Sequence, residues 1–321
     1  MQIYDSVVDA INEGKLQHGS KLPSINNICY EHKLARETVI KSFNLLKTKG
    51  IIESVHGKGF YISSTDTRKQ HKIFLLLDTL SAYKENFYNA FLREFGEDAL
   101  IDTYFHHFNI DVFEGFVQNN LGKYSEYIIS PFENSRIGQI IESLPQKNLY
   151  LIDRNYQPDN AILPGVFQDF ENDIYQALCS AGKSHEKYST FNFLFRNTNT
   201  IPPSDLLKGF EKFCNDHQKE YEVFSDFSIQ TEVKKGNAYI VIDDDDLVNT
   251  VLSAENQQLV PGKDVGIVSY NETSLKKVIS GGISVISTDF RQMGINLARM
   301  IMNNDQKLII NPCSLIDRGS Y

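Results

Sequence analysis

Four consecutive carboxylates, Asp243–Asp246, are the densest chemical feature of this sequence, and a hard cation is the first chemistry they suggest. Adjacent side chains at a strand end do not all face one ion, and no other ligand-rich segment accompanies them. The stronger reading is an acidic first turn of a helix, where carboxylates meet the positive end of the peptide dipoles. Two histidines in Tyr104–Phe108, "YFHHF", fall on opposite faces of a strand, which separates them as metal ligands. Ala181–Ser184, "AGKS", has the tail of a phosphate loop, but the glycine required five residues before Gly182 is Ala177, and the segment follows a helix instead of opening one. No serine or cysteine sits in a nucleophile elbow. No catalytic residue, cofactor or metal is therefore expected.

A different chemistry is written near the front. Arg36, Glu37, Thr38 and Lys41 crowd the start of one helical pattern, and His56, Gly57 and Lys58 form a short polar turn soon after. The chain is acidic overall, at −9, yet residues 1–70 carry ten Lys/Arg against seven Asp/Glu, while residues 71–321 carry 22 against 34. A polyanion would meet the front and be repelled by the rest. With 321 residues, two or three domains are expected. Four scattered cysteines (Cys29, Cys179, Cys214 and Cys313) and the lack of a leader-like apolar run favour a reduced, cytoplasmic setting without a membrane span.

The elements that would position these cations are legible. Ile3, Val7, Val8 and Ile11 recur at helical spacing before Gly14. Pro23 and Ser24 open a second helix with Ile25, Ile28 and Cys29 inward, and Val39, Phe43 and Leu46 set a third that Gly50 ends. "IIESV" and "FYIS" are strands joined by His56–Gly59, a hairpin. Three helices and a hairpin make a winged helix-turn-helix. The N-terminus of its third helix offers free N–H groups to phosphates, and the small hairpin tip lets backbone approach a minor groove.

These residues resemble the GntR-type winged-helix domain over about residues 2–63. The resemblance is carried by Gly14 to Ser24, by Ala35-Arg36-Glu37-Thr38-Val39, by Gly50-Ile51-Ile52 and by Gly57-Lys58-Gly59. It implies operator binding by a homodimer, with DNA contacts from Ser24, Arg36, Glu37, Thr38, Lys41, His56, Gly57 and Lys58. The chain departs from the family pattern at Asn26 and Ile40, which replace arginines, and at Ala35, which replaces the capping hydroxyl. Lys21, Lys33 and Lys41 stand near enough in sequence to supply phosphate contacts in their place.

Ser63–His71 is polar and reads as a tether, giving a winged domain at 1–63, a linker at 64–71 and a larger unit at 72–321. In that unit, buried-type strands such as "KIFLLLD", "EYIIS", "LYLID", "AYIVID" and "DVGIVSY" alternate with amphipathic helices, the pattern of an α/β fold with parallel sheets. Its length suits two lobes with polar strand ends meeting in a crevice.

The larger unit resembles the LacI-type effector domain, of periplasmic-binding-protein-like fold. The resemblance rests on Leu151–Arg154, Phe167–Phe170, Val241–Asp244, Val260–Asn271, Ile286–Asp289 with Gly294, and Leu315–Ser320. A GntR-type head on a LacI-type body is the layout of arabinose-repressor-like regulators. It implies a repressor that responds to a sugar held between two lobes. The matching positions are Asp78 with Tyr83, Asn86 and Phe87 in the loop "SAYKENF", then Ser130, Asp153, Arg154, Asp243 and Asn271. Leu206 and Asn271 stand where the family places a sugar-clamping arginine and a cleft aspartate. The competing reading is an enzyme acting on a sugar or nucleotide with an accessory head.

Overall fold

The apolar spacing of the front segment folds as α1 (Gln2–Asn12), α2 (Ile25–His32) and α3 (Arg36–Thr48), followed by β1 (Ile52–Val55) and β2 (Gly59–Ile62). Ile11, Leu22, Ile28, Val39, Phe43, Leu46, Ile51, Ile52 and Ile62 share one small core. β1 and β2 pair antiparallel, from Ile52 opposite Ile62 to Val55 opposite Gly59. This is a computed structural model; it describes residues 2–65, 71–156, 163–195, 204–225, 227 and 231–321. Of the expected tether, residues 66–70 lie outside the described residues, and His71 is the first residue of the next strand, its Nδ1 3.0 Å from Glu126 Oε1.

The body is built from β3 (His71–Leu77), α4 (Ala82–Phe95), β4 (Ala99–Phe105), α5 (Ile110–Asn120), β5 (Glu126–Ile129), α6 (Ile137–Glu142), β6 (Leu149–Asp153) and β7 (Gly165–Phe167) in a first lobe. The second lobe holds α7 (Phe170–Ser180), β8 (Thr190–Leu194), α8 (Ser204–Asp216), β9 (Glu220–Phe224), β10 (Asn237–Val241), α9 (Asp244–Asn256), β11 (Gly266–Tyr270) and β12 (Ser284–Thr288). The chain then returns as α10 (Phe290–Met302) and β13 (Leu308–Ile310) to the first lobe, and ends with β14 (Cys313–Ile316) in the second.

Each lobe is one six-stranded sheet. The first has the order β13-β7-β6-β5-β3-β4, and the second β14-β12-β11-β10-β8-β9. Neighbours run parallel throughout, except that β14 lies antiparallel to β12. The strands are apolar on both faces because helices cover both. α4 and α10 pack against Ile73, Leu75 and Leu77, whereas α5 and α6 pack against Phe74 and Leu76. α10 sits so close to α4 that a Cβ at Gly294 would lie 2.4 Å from the Phe87 carbonyl oxygen. The expected α/β architecture is present, with one local correction: "SAYKENF" is no loop, because Ala82 to Phe87 already form the first turns of α4.

The chain crosses between lobes three times, after β7, after β12 and after β13. Since β7 and β12 both leave their sheets at C-terminal ends to reach the other lobe, those ends face one another. Asn311 knots the crossings: its N–H donates to Phe167 O (2.7 Å) and its Nδ2 donates to Thr288 Oγ1 (2.9 Å) and Asp289 O (2.8 Å).

Candidate nucleic-acid interface and effector cleft

The winged domain presents its cationic residues outward. Arg36, Glu37, Thr38 and Lys41 are exposed along the first turns of α3, and His56, Gly57 and Lys58 are exposed at the hairpin tip. The helix and the hairpin are held together through their shared core, where the ring of Phe43 on α3 meets Phe60 on β2 edge-on at 4.8 Å. Gly57 (φ 70°) and Gly59 (φ 112°) take the left-handed conformations that close so tight a turn. Ala35 is extended and no side chain caps α3, so its first N–H groups keep their hydrogen-bonding capacity for an anion. Ser24 has a local task as well: its Oγ accepts from the Asn27 N–H at 3.2 Å and caps α2.

The facing strand ends gather most of the remaining predicted residues. In the first lobe these are Asp78 after β3, Ser130 after β5, and Asp153 and Arg154 at the end of β6; in the second they are Asp243 after β10 and Asn271 after β11. Their centre is a residue that sequence reasoning passed over. Lys84, buried in the first turn of α4, forms an ion pair with Asp78 and lies 3.2 Å from Asp153 Oδ2. Burial alone would lower its pKa, but Asp153 and Asp78 outweigh that and hold it above the ordinary lysine value, so the side chain is charged. Gln168 donates its Nε2–H to Asp153, completing a chain Asp78–Lys84–Asp153–Gln168 across three strand ends.

The second lobe repeats the device. Lys276, 2% exposed, donates to the carbonyls of Tyr270 (2.8 Å) and Asn271 (2.9 Å) and pairs with Asp244 at 2.8 Å. Burial lowers its pKa and Asp244 opposes this. Asp243 caps α9 by accepting from the Asp245 N–H at 2.9 Å, so the acidic run does serve a helix start. Asn271 adopts φ 62°, a left-handed conformation uncommon outside glycine.

The predicted positions divide as follows. Tyr83 is half-buried against the Phe290 ring at 4.8 Å, and Asn86 is exposed. Phe87 is 1% exposed inside the lobe core, so its ring packs α4 onto the sheet and offers no face to a ligand. Ser130 is buried and its carbonyl accepts from His106 Nε2 (3.0 Å). Arg154 reaches Glu133 at 3.8 Å and lies over the Phe170 ring. His106, buried and pushed down to about 4 by desolvation, is neutral: its Nδ1 accepts from the Phe108 N–H at 3.1 Å. Half-buried Phe132 stacks on it at 4.9 Å, adding an aromatic surface near Ser130 that the sequence did not single out. Among the described residues, no group of three or more His, Cys, Asp or Glu is placed to hold a metal ion, and no helix is long and apolar enough to cross a membrane.

The family described as "Bacterial regulatory proteins, gntR family" matches residues 1–62. The front of the chain is a GntR-family domain. Within it, 61 residues are 34% identical to the uncharacterized HTH-type transcriptional regulator YydK of Bacillus subtilis (strain 168), a match covering 19% of this chain and 26% of that one. The chain thus spans about a quarter of the length of that curated relative. The body is similar to solved regulators of LacI type. The trehalose repressor from Escherichia coli superposes with a TM-score of 0.62 at 13% identity, covering 77% of this chain and all 100% of that one. A LacI family transcriptional regulator from Lactobacillus casei, with bound glucose, gives 0.63 at 12%, covering 78% and 99%. At such identities the likeness is one of fold. The GntR-type head is therefore joined to a body of LacI-like fold.

Proposed function

We propose that this chain is a ligand-responsive transcription regulator, a repressor of sugar utilisation that works in the cytoplasm as a homodimer on operator DNA. The observation that carries the reading is the pairing of an exposed, cation-bearing helix start and wing tip with a body whose two lobes face each other through polar strand ends. The relatives named as transcription regulators, and the sugar bound by the Lactobacillus casei protein, support it over a sugar-acting enzyme.

The mechanism follows from the three crossings. An effector between the rims alters their separation, and the crossings transmit the change to the surfaces by which two copies hold their heads at half-site spacing. We assign the twofold contact to the second lobe, where Val248 and Leu252 on α9 and Leu275 and Val278 are exposed on two segments that the Lys276–Asp244 and Ser280–Glu255 contacts hold together.

The test is selection of duplex DNA from a random pool by the full chain, followed by mobility shifts with and without sugars. Sequence-selective binding that a sugar changes by roughly 5- to 150-fold supports the reading; no DNA binding even in low salt, with or without sugars, rejects it. Arg36→Ala weakens the selected site by about 1–3 kcal/mol and leaves sugar binding intact, while Lys58→Ala lowers the salt slope by about one.

A further inference from the structure

Each rim buries one ammonium group. In the first lobe two carboxylates, Asp78 and Asp153, engage the one ammonium of Lys84. In the second, Lys276 is engaged by Asp244 and two carbonyls. Arg154, the remaining cation at these strand ends in the first lobe, faces Glu133. The buried ammonium groups of both rims are thus already matched, and the first rim sets two carboxylates around one ammonium.

The same rims hold buried polar atoms whose hydrogen bonds are unmade. Gln168 is 8% exposed; its Nε2 serves Asp153 and its Oε1 has no partner. Asn271 Oδ1 is likewise buried and unpartnered, and so is the hydroxyl of Tyr270, itself 4% exposed. Tyr270 belongs to the second lobe yet lies within electrostatic reach of Asp153 and Tyr83 of the first. Two amide oxygens call for donors, and one phenol offers both a donor and an acceptor.

We propose that the cleft selects an effector that brings hydroxyl donors and carries no phosphate, an inference that rests on the sugar reading above and narrows it. A sugar hydroxyl donates to Gln168 Oε1 or Asn271 Oδ1 and accepts from the Tyr270 O–H. A phosphate ester near neutral pH presents acceptors and nearly two negative charges. It would meet Asp78 and Asp153 around the single charge of Lys84, and the buried ammonium groups that could answer it are already engaged.

The experiment is isothermal calorimetry on the full chain at pH 7.5 with glucose, arabinose, trehalose and sucrose, with glucose 6-phosphate, arabinose 5-phosphate and trehalose 6-phosphate, and with deoxy analogues of any sugar that binds. The expected result is a free sugar that binds, a phosphate ester at least ~10-fold weaker, and one or more deoxy analogues ~10-fold weaker through the unmet acceptor. A phosphate ester that binds as well as its parent, or deoxy analogues that all match it, overturns this inference and leaves the sugar reading standing. No binding in any arm overturns both.

Discussion

The ammonium of Lys84 lies 3.2 Å from the carboxylate of Asp153, tying the first turn of α4 to the C-terminal end of β6. With Asp78 on its other side, this lysine makes three chain segments answer to one buried charge.

Lys84→Met would leave two carboxylates without their partner and is expected to cost about 3–5 kcal/mol of stability, read by chemical denaturation. The linkage has a definite sign. Because the folded pKa lies above the unfolded one, the contribution is complete below the ordinary lysine value and is lost only as pH climbs through the raised value. The deficit of the variant should therefore stay constant between pH 6 and pH 9.

Asp173 makes the opposite prediction. It is buried in the first turns of α7, and desolvation, followed by the charge of Asp169, pushes its carboxyl up to about 7. Between about pH 4 and 7 the folded chain keeps a proton that the unfolded chain has released, so this group makes stability fall as pH rises. Asp173→Asn keeps the shape and removes the titration. Its denaturation midpoint should exceed that of the parent at pH 8, with the gap closing toward pH 4. Equal gaps at both pH values would contradict the assignment.

Asn311 should couple the lobes. Asn311→Ala removes donors to Thr288 Oγ1 and Asp289 O at a site 1% exposed, costing about 1–3 kcal/mol. Its distinguishing readout is the response: sugar binding measured by calorimetry should persist while its effect on DNA affinity shrinks.

Much of this was open to reading along the chain, for identifiable reasons. The front domain is made by local rules, in which Val39, Phe43 and Leu46 repeat at helical spacing and Gly57 and Gly59 fit the turn that they close. Strands buried on both faces, such as β3 and β11, announce themselves by continuous apolar runs. β9 did not, because its Glu220, Tyr221 and Glu222 lie exposed at a sheet edge, and β7 and β13, three residues each, carry too little pattern. Lys84 escapes notice because "SAYKENF" reads as a loop, where a lysine between Tyr83 and Glu85 is expected in solvent. Its partners lie six and sixty-nine residues away in sequence, and nothing local announces them. Phe87 was misassigned for the converse reason: its aromatic ring suggested stacking, but helical spacing turns it toward Phe91 and the sheet.

The late return of α10 and β13 to the first lobe has a consequence during synthesis. A ribosome has translated all of the second sheet's parallel strands before Phe290–Ile310 exist to cover the first sheet and complete its edge. Until then α4 alone covers Ile73, Leu75 and Leu77, and the apolar ground that α10 takes stays open to chaperones. A frameshift after residue 289 would strip α10 and β13 from the first lobe and β14 from the second.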